Sequence, residues 1–330
     1  MRNGKNDENL KERLNKMKNA VRAIITCCRQ KIMERVGTRI ALQLHEAVTI
    51  PSLLYNAETW TLNKTEKGIL DKAEIYAWKQ MLGLPTTTPT AGIMLTVGAL
   101  FASIRVETKQ LLYLHKLLLK NVDHWARVTL LIVWEKEIGW AKQLKELLRK
   151  WGLEGDLTAI QQKTTTQWKL KVKQAAEKQN IEKLKEECEV KIRGETRQKT
   201  KTKSVEAAIN NPEYKRGLDP FLVKHESLKY AKLLIMARYG MLDCGNNYAI
   251  KYGGKMCKTC SETDDENHRM NMCKRWESIN LCNNNEKIDF DDMYSSDEDK
   301  CLQTVKSIAS LWDLESGKNE MRLPESMNNL

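Results

Sequence analysis

Glycine and proline are scarce, with 16 and 6 in 330 residues. An all-β sandwich or barrel needs far more of both at its tight turns, so that class is disfavoured. Long apolar runs are missing too. The longest, Val128–Trp134, is about seven residues, well short of the roughly 20 that span a bilayer. The first residues, MRNGKNDENLKERLNKMKN, contain no apolar core of a secretory leader. These absences lead us to expect an intracellular chain, nuclear or cytoplasmic, that is neither secreted nor membrane-bound.

Catalytic signatures are lacking as well. A two-metal polymerase needs clustered carboxylates, usually an aromatic-x-Asp-Asp turn between strands. Neither Asp264-Asp265 nor Asp291-Asp292 has an aromatic residue two places before it, and both pairs read as solvated surface. His45-Glu46 and His225-Glu226 have no second His at the zinc-protease spacing. Gly253-Gly254-Lys255 lacks the first Gly and the Ser/Thr of a phosphate loop, and no G-x-S-x-G occurs. His115 and His124 lie in Leu-rich helical stretches, where a core-edge or surface role is the simpler reading. The expectation leans away from an enzyme.

What is present is helical periodicity. Leu10, Leu14, Met17, Val21, Ile24, Cys28 and Ile32 recur at steps of three and four, which predicts a helix over 8–35. A shorter helix with Ile40, Leu44 and Val48 on one side should end at Pro51. Thr65 is a candidate cap for a helix over 66–82. Further helices are expected over 98–120, 128–150 and 218–242, and around Leu302–Trp312. A pair of surface-bound helices should carry Trp168, Leu170, Val172, Ile181 and Leu184, and a basic mobile linker is expected over 191–204. The fold class is therefore mainly α.

Charge is abundant and uneven. Residues 283–330 hold eleven acidic and five basic residues, a net of −6 within a total of +12, which leaves +18 on the first 282. A basic body with an acidic tail suits a polyanion. Lys142–Lys150 and Lys163–Lys203 could track phosphates, and Trp151, Trp168 and Trp276 could stack on bases. Lysines on solvated helix faces and tryptophans in small cores are the competing reading.

The densest signal is Cys257, Cys260, His268 and Cys273, spaced C-x2-C-x7-H-x4-C. Three thiolates and an imidazole form a complete tetrahedral set for Zn²⁺, and four protein ligands make such a site structural rather than catalytic. In a reducing compartment a Cys cluster reads as metal-binding before disulfide. Cys244 and Cys282 flank the set at poorer spacing. Small knuckles of this type commonly read single-stranded nucleic acid. Lys258, Arg269, Lys274 and Arg275 would then contact phosphates, with Trp276 as a stacking residue.

Two segments resemble one family. The run Pro51-Ser-Leu-Leu-Tyr55-Asn56-Ala-Glu58-Thr-Trp60-Thr-Leu resembles the P-x-L-x-Y-G-x-E-x-W-x-L stretch after the palm of LINE-type (non-LTR retrotransposon) reverse transcriptases. Downstream, Met81–Pro85 and the Leu95–Leu100 turn agree with it. Leu233–Cys273, with Arg238, Asn247, Tyr248, Tyr252 and the four ligands, resembles that family's C-terminal knuckle segment. Asn56 departs from the family's Gly, but Asn tolerates the left-handed backbone that such a turn needs.

The resemblance implies a thumb-like helical domain over 1–122 and a basic helical connector over 123–215. A helix plus zinc knuckle would follow over 216–282, and a flexible acidic tail over 283–330. It also implies that fingers and palm would lie upstream of residue 1, so that this chain is a C-terminal piece without catalytic aspartates. Mg²⁺ would serve only the intact parent. RNA, DNA or both are the expected partners, with a palm-containing chain or self-association as further ones. Alternatives are a zinc-knuckle protein-interaction module and a non-functional retroelement relic.

Overall fold

The structure, a computed structural model, describes residues 7–29, 38–153, 156–192, 209–210, 219, 221–222, 228–239, 241–242, 244, 253–265, 267–273 and 298–315. It is mainly helical, and among the described residues there is no strand, only an isolated antiparallel bridge between Met256 and Thr263. The chain divides into two compact units, Met1–Asp219 and Pro220–Leu330.

The first unit begins with α1 (Asp7–Arg29), whose Leu10, Met17, Val21 and Ile24 are buried as their spacing predicts. The next segment differs from expectation. Helix α2 (Thr38–Leu44) passes through a π-helical stretch, His45–Thr49, directly into α3 (Ile50–Leu53), so Pro51 does not end it. Proline sits in the first turn of α3, where its missing N–H costs least. The buried face is Ala41, Leu42, His45, Thr49 and Ile50, while Ile40 and Val48 of the expected apolar side are exposed.

After a 3₁₀ turn at Ala57–Thr59 comes α4 (Lys64–Met81). Its cap is Asn63, not Thr65. The Asn63 side chain accepts from the Glu66 N–H at 2.9 Å, and Glu66 accepts from the Asn63 N–H at 2.7 Å, a reciprocal capping box. Helix α5 (Thr90–Val97) ends on Gly98, at φ 62°, a left-handed stop that favours glycine.

Helix α6 (Ala102–Leu118) is the axis of this unit, packing against α4 and the helices that follow. The expected 128–150 helix is broken in two, α7 (Trp125–Glu135) and α8 (Gly139–Lys150), because Glu137 (φ 51°) and Gly139 (φ 55°) turn the chain left-handed between them. After α9 (Leu157–Gln161), a single long helix, α10 (Thr165–Ile192), takes the place of the expected surface pair. It lies along α6 and α5 with Trp168, Val172, Ala176, Leu184 and Cys188 buried. The Trp168 indole N–H donates to the Leu111 carbonyl at 2.9 Å.

In the second unit, α11 (Leu228–Arg238) packs on α12 (Glu298–Glu315). Leu234, Ile235, Val305 and Ile308 are among their buried residues. Among the described residues no single helix is long and apolar enough to cross a membrane. The bent pair α5 and α6 meets that length and composition together, and both are core helices.

Candidate metal centre

The C-x2-C turn is shaped by backbone bonds. The Ser261 N–H donates to the Cys257 carbonyl at 2.8 Å, and the Cys257 N–H donates to the Glu262 carbonyl at 2.7 Å. Ser261 takes a left-handed φ of 59° to close the turn. The Asp264 N–H donates to Lys255 at 2.8 Å, which keeps the arms of the loop together. Asp265 then starts the return segment, its carboxylate accepting from the His268 N–H at 2.7 Å. A single π-helical turn, His268–Met272, brings Cys273 back beside the first two cysteines.

The result is a compact donor set. One ligand atom from each of Cys257, Cys260, His268 and Cys273 lies within 4.8 Å of all the others. The Cys273 Sγ is 3.7 Å from both Cys257 Sγ and Cys260 Sγ. A tetrahedron with metal–sulfur bonds of about 2.3 Å has an S···S edge of about 3.8 Å, so the spacing suits one ion bound by all three sulfurs.

The imidazole agrees. His268 is buried, and its Nε2 has no hydrogen-bond partner, whereas Nδ1 faces the Glu262 carboxylate at 3.2 Å. A carboxylate behind one ring nitrogen and a bare second nitrogen is how metal-binding histidines are oriented. Burial alone would raise the Cys257 thiol. The backbone N–H groups of Cys260 and Thr259, with His268 and Cys273, outweigh it and bring the thiol down to about 6, toward the thiolate that a metal requires. These four residues could hold a metal ion.

Two expectations for the loop are corrected. Arg269 does not reach outward to phosphate. It is buried, with Nε 2.6 Å and Nη2 2.7 Å from the two Asp264 oxygens. A bidentate guanidinium–carboxylate pair under the loop ties its two arms together. Asp264 is correspondingly buried, not solvated surface. Lys258 is exposed on the turn, as a phosphate contact requires, and so is Lys255, which sequence reasoning passed over. Lys274, Arg275 and Trp276 lie outside the described residues, as do Asn247, Tyr248 and Tyr252.

Trp151 and Trp168 are also displaced from their expected role. Both are buried, with indole N–H groups engaged by Glu107 and Leu111, so neither can stack on a base. The lysines of α10 do face outward: Lys169, Lys171, Lys173, Lys178 and Lys185 are exposed.

The Pro51–Leu62 stretch is a structural corner. Asn56 adopts φ 58°, ψ 24°, the left-handed turn expected of it, and its amide donates to Thr59 Oγ1 at 3.0 Å. Trp60 is buried, and its carbonyl accepts from the Gln110 amide at 2.6 Å. Tyr55 is 64 % exposed under the Arg13 guanidinium, 4.7 Å from the ring centroid. Glu58 is half-buried near Lys109.

Among the buried polar groups to which sequence reasoning gave no role are His45 and Glu74. His45 sits against Trp78 with ring centroids 3.8 Å apart, and neither ring nitrogen has a hydrogen-bond partner. Burial, helped by Arg105, holds its pKa down to about 3. Glu74 is fully buried, and burial pushes it up to about 8 despite Arg105 Nε at 3.3 Å. The Arg105 fork is committed elsewhere: two bonds of 2.7 and 2.9 Å go to Glu46, and Nε also donates to Leu100.

Fold and site together define a helical protein with a Cys₃His cluster on a short loop. No protein-family model, curated protein or solved structure matches the chain.

Proposed function

We propose that the chain is a nucleic-acid-binding protein, akin to the region beyond the catalytic palm of LINE-type reverse transcriptases, with a structural Zn²⁺ in its knuckle. The observation that carries this is the donor set: three sulfurs at tetrahedral spacing and a buried imidazole with a bare nitrogen. Thiolate and imidazole donors select zinc over magnesium or calcium. The ion would close the loop and keep Lys255 and Lys258 on one exposed surface for a single strand. The outward lysines of α10 would add a second line of phosphate contacts. Nothing in this reading requires chemistry at the metal, since all four positions are filled by protein.

The test has two readouts. Purified chain should carry one zinc by elemental analysis, and Cys260→Ser should lose it. Fluorescence anisotropy with single-stranded RNA and DNA should show binding that weakens with salt. If about four phosphates are neutralised, log K should fall with log salt at a slope of about −3. A full zinc equivalent in Cys260→Ser would refute the ligand set. Salt-insensitive binding, or none at low salt, would refute the nucleic-acid reading.

A further inference from the structure

The backbone of His268 is held at both ends. Its N–H donates to the Asp265 carboxylate at 2.7 Å, and its carbonyl accepts from the Cys273 N–H at 2.7 Å. What remains free is the ring, which can turn about its side-chain bonds and can carry its proton on either nitrogen. Glu262 removes both freedoms. Its carboxylate lies 3.2 Å from Nδ1. An ionised carboxylate only accepts, so Nδ1 carries the proton and donates it. Nε2 is then the nitrogen with the lone pair, and it is the one that is buried without a partner. The two nitrogens lie on opposite edges of the ring. Glu262 therefore stands behind the imidazole, away from an ion bound at Nε2.

Glu262 is also tied to the other half of the ligand set. Its own carbonyl accepts from the Cys257 N–H at 2.7 Å, and its neighbour Thr263 bridges to Met256. One residue thus joins the C-x2-C arm, through its main chain, to the histidine of the return segment, through its side chain. Packing does not explain the side chain's place, because it is 63 % exposed. A carboxylate that covers little apolar surface and meets a buried imidazole has the geometry of an outer partner to a metal ligand.

Resting on the zinc reading above, we propose that Glu262 is a positioning residue of the metal centre. Its carboxylate fixes His268 in the Nδ1–H form and holds the ring so that Nε2 binds the ion.

Two measurements on the full-length chain test this: zinc affinity by chelator competition, and the ring-nitrogen shifts of the zinc-loaded protein labelled with ¹⁵N at its histidines. Glu262→Ala should bind zinc about 10- to 100-fold more weakly, the range for losing such an outer partner, with helix content by circular dichroism unchanged. Glu262→Gln keeps an acceptor oxygen of the same reach and should stay within about tenfold of the wild type. The loss in Glu262→Ala should persist in about 1 M salt, where the Debye length is about 3 Å and a through-space effect of the lost charge is screened. The wild-type spectrum should show His268 protonated at Nδ1 and metal-bound at Nε2. A wild type that carries a full zinc equivalent, with Glu262→Ala binding within about threefold of it, overturns the inference and leaves the zinc reading standing. So do metal bound at Nδ1, a loss that vanishes at high salt, and a Glu262→Gln no better than Glu262→Ala. A wild type without zinc refutes the zinc reading itself, and this inference with it.

Discussion

His45 and Glu74 show how single residues can be set by what surrounds them. Both are buried in the first unit, and burial drives each toward its neutral form. Their effects on stability have opposite signs. Between about pH 3 and 6.5 the unfolded chain protonates His45 and the folded chain does not, so stability is lost as pH falls through that window. Between 4.5 and about 8 the folded chain holds a proton on Glu74 that the unfolded chain releases, so stability falls as pH rises. Each limb has a limiting slope of about 1.4 kcal/mol per pH unit. The two limbs oppose each other between 4.5 and 6.5, so urea midpoints should show a decline from about pH 6.5 to 8 that Glu74→Gln flattens, and a decline below about pH 4.5 that His45→Leu flattens. Midpoints that fall equally in wild type and Glu74→Gln above pH 7 would remove Glu74 from the account.

The knuckle gives the second residue-scale expectation. Asp264→Asn breaks the bidentate pair under the loop and leaves Arg269 buried with a weakened partner. Removing one side of a buried charge pair costs about 3–5 kcal/mol. Metal affinity should fall even though all four ligands remain, as measured by competition with a zinc chelator. An unchanged affinity would mean that the ligands alone order the loop.

At the scale of the element, patterns of apolar residues served well where a helix packs on one side and failed where local chemistry intervened. The spacing in α1 identified the buried face, and α8 buries Ala141, Leu144, Leu147 and Leu148 in the same manner. In α2–α3 the pattern chose the wrong face, because the buried side is carried by Ala41, Leu42, His45 and Thr49, of which only Leu42 is a large apolar residue. The cap at Asn63 was legible in principle, since Asn-x-x-Glu is a capping-box signature, and Thr65 lies only two residues beyond it. The single length of α10 was not, because its lysines suggested a loosely attached pair. Its attachment is the Trp168 side chain, buried between α10 and α6. Trp168→Ala should destabilise the first unit by about 3–5 kcal/mol, read as a shift in its denaturant midpoint. Trp168→Phe, which loses the bond to Leu111 but keeps most of the volume, should cost clearly less.

For the whole molecule, part of the +18 excess of the first 282 residues is placed along α10. Its buried side is fixed by Trp168, Val172, Ala176 and Leu184, which leaves Lys169, Lys171, Lys173, Lys178 and Lys185 outward. If this row follows a phosphate backbone, changing Lys169, Lys171 and Lys173 to Glu should reduce the salt slope of nucleic-acid binding by about two, three contacts at about 0.7 each. Cys260→Ser should weaken the same binding through a different surface. A triple variant with an unchanged slope would place the binding elsewhere.

The sequence by itself determined the helical class, most helix positions and the four residues that could hold a metal ion. Helical periodicity and a short Cys/His spacing are local, and local geometry follows from neighbours in the chain. Tertiary structure alone decided which charged and aromatic side chains stay outside. Arg269 closes on Asp264, and Trp151 and Trp168 turn into the core beside α6, while α7 presents its apolar ridge outward. Burial depends on which elements meet, and residues such as Trp168 and Leu111, 57 positions apart, are joined only when the helices pack.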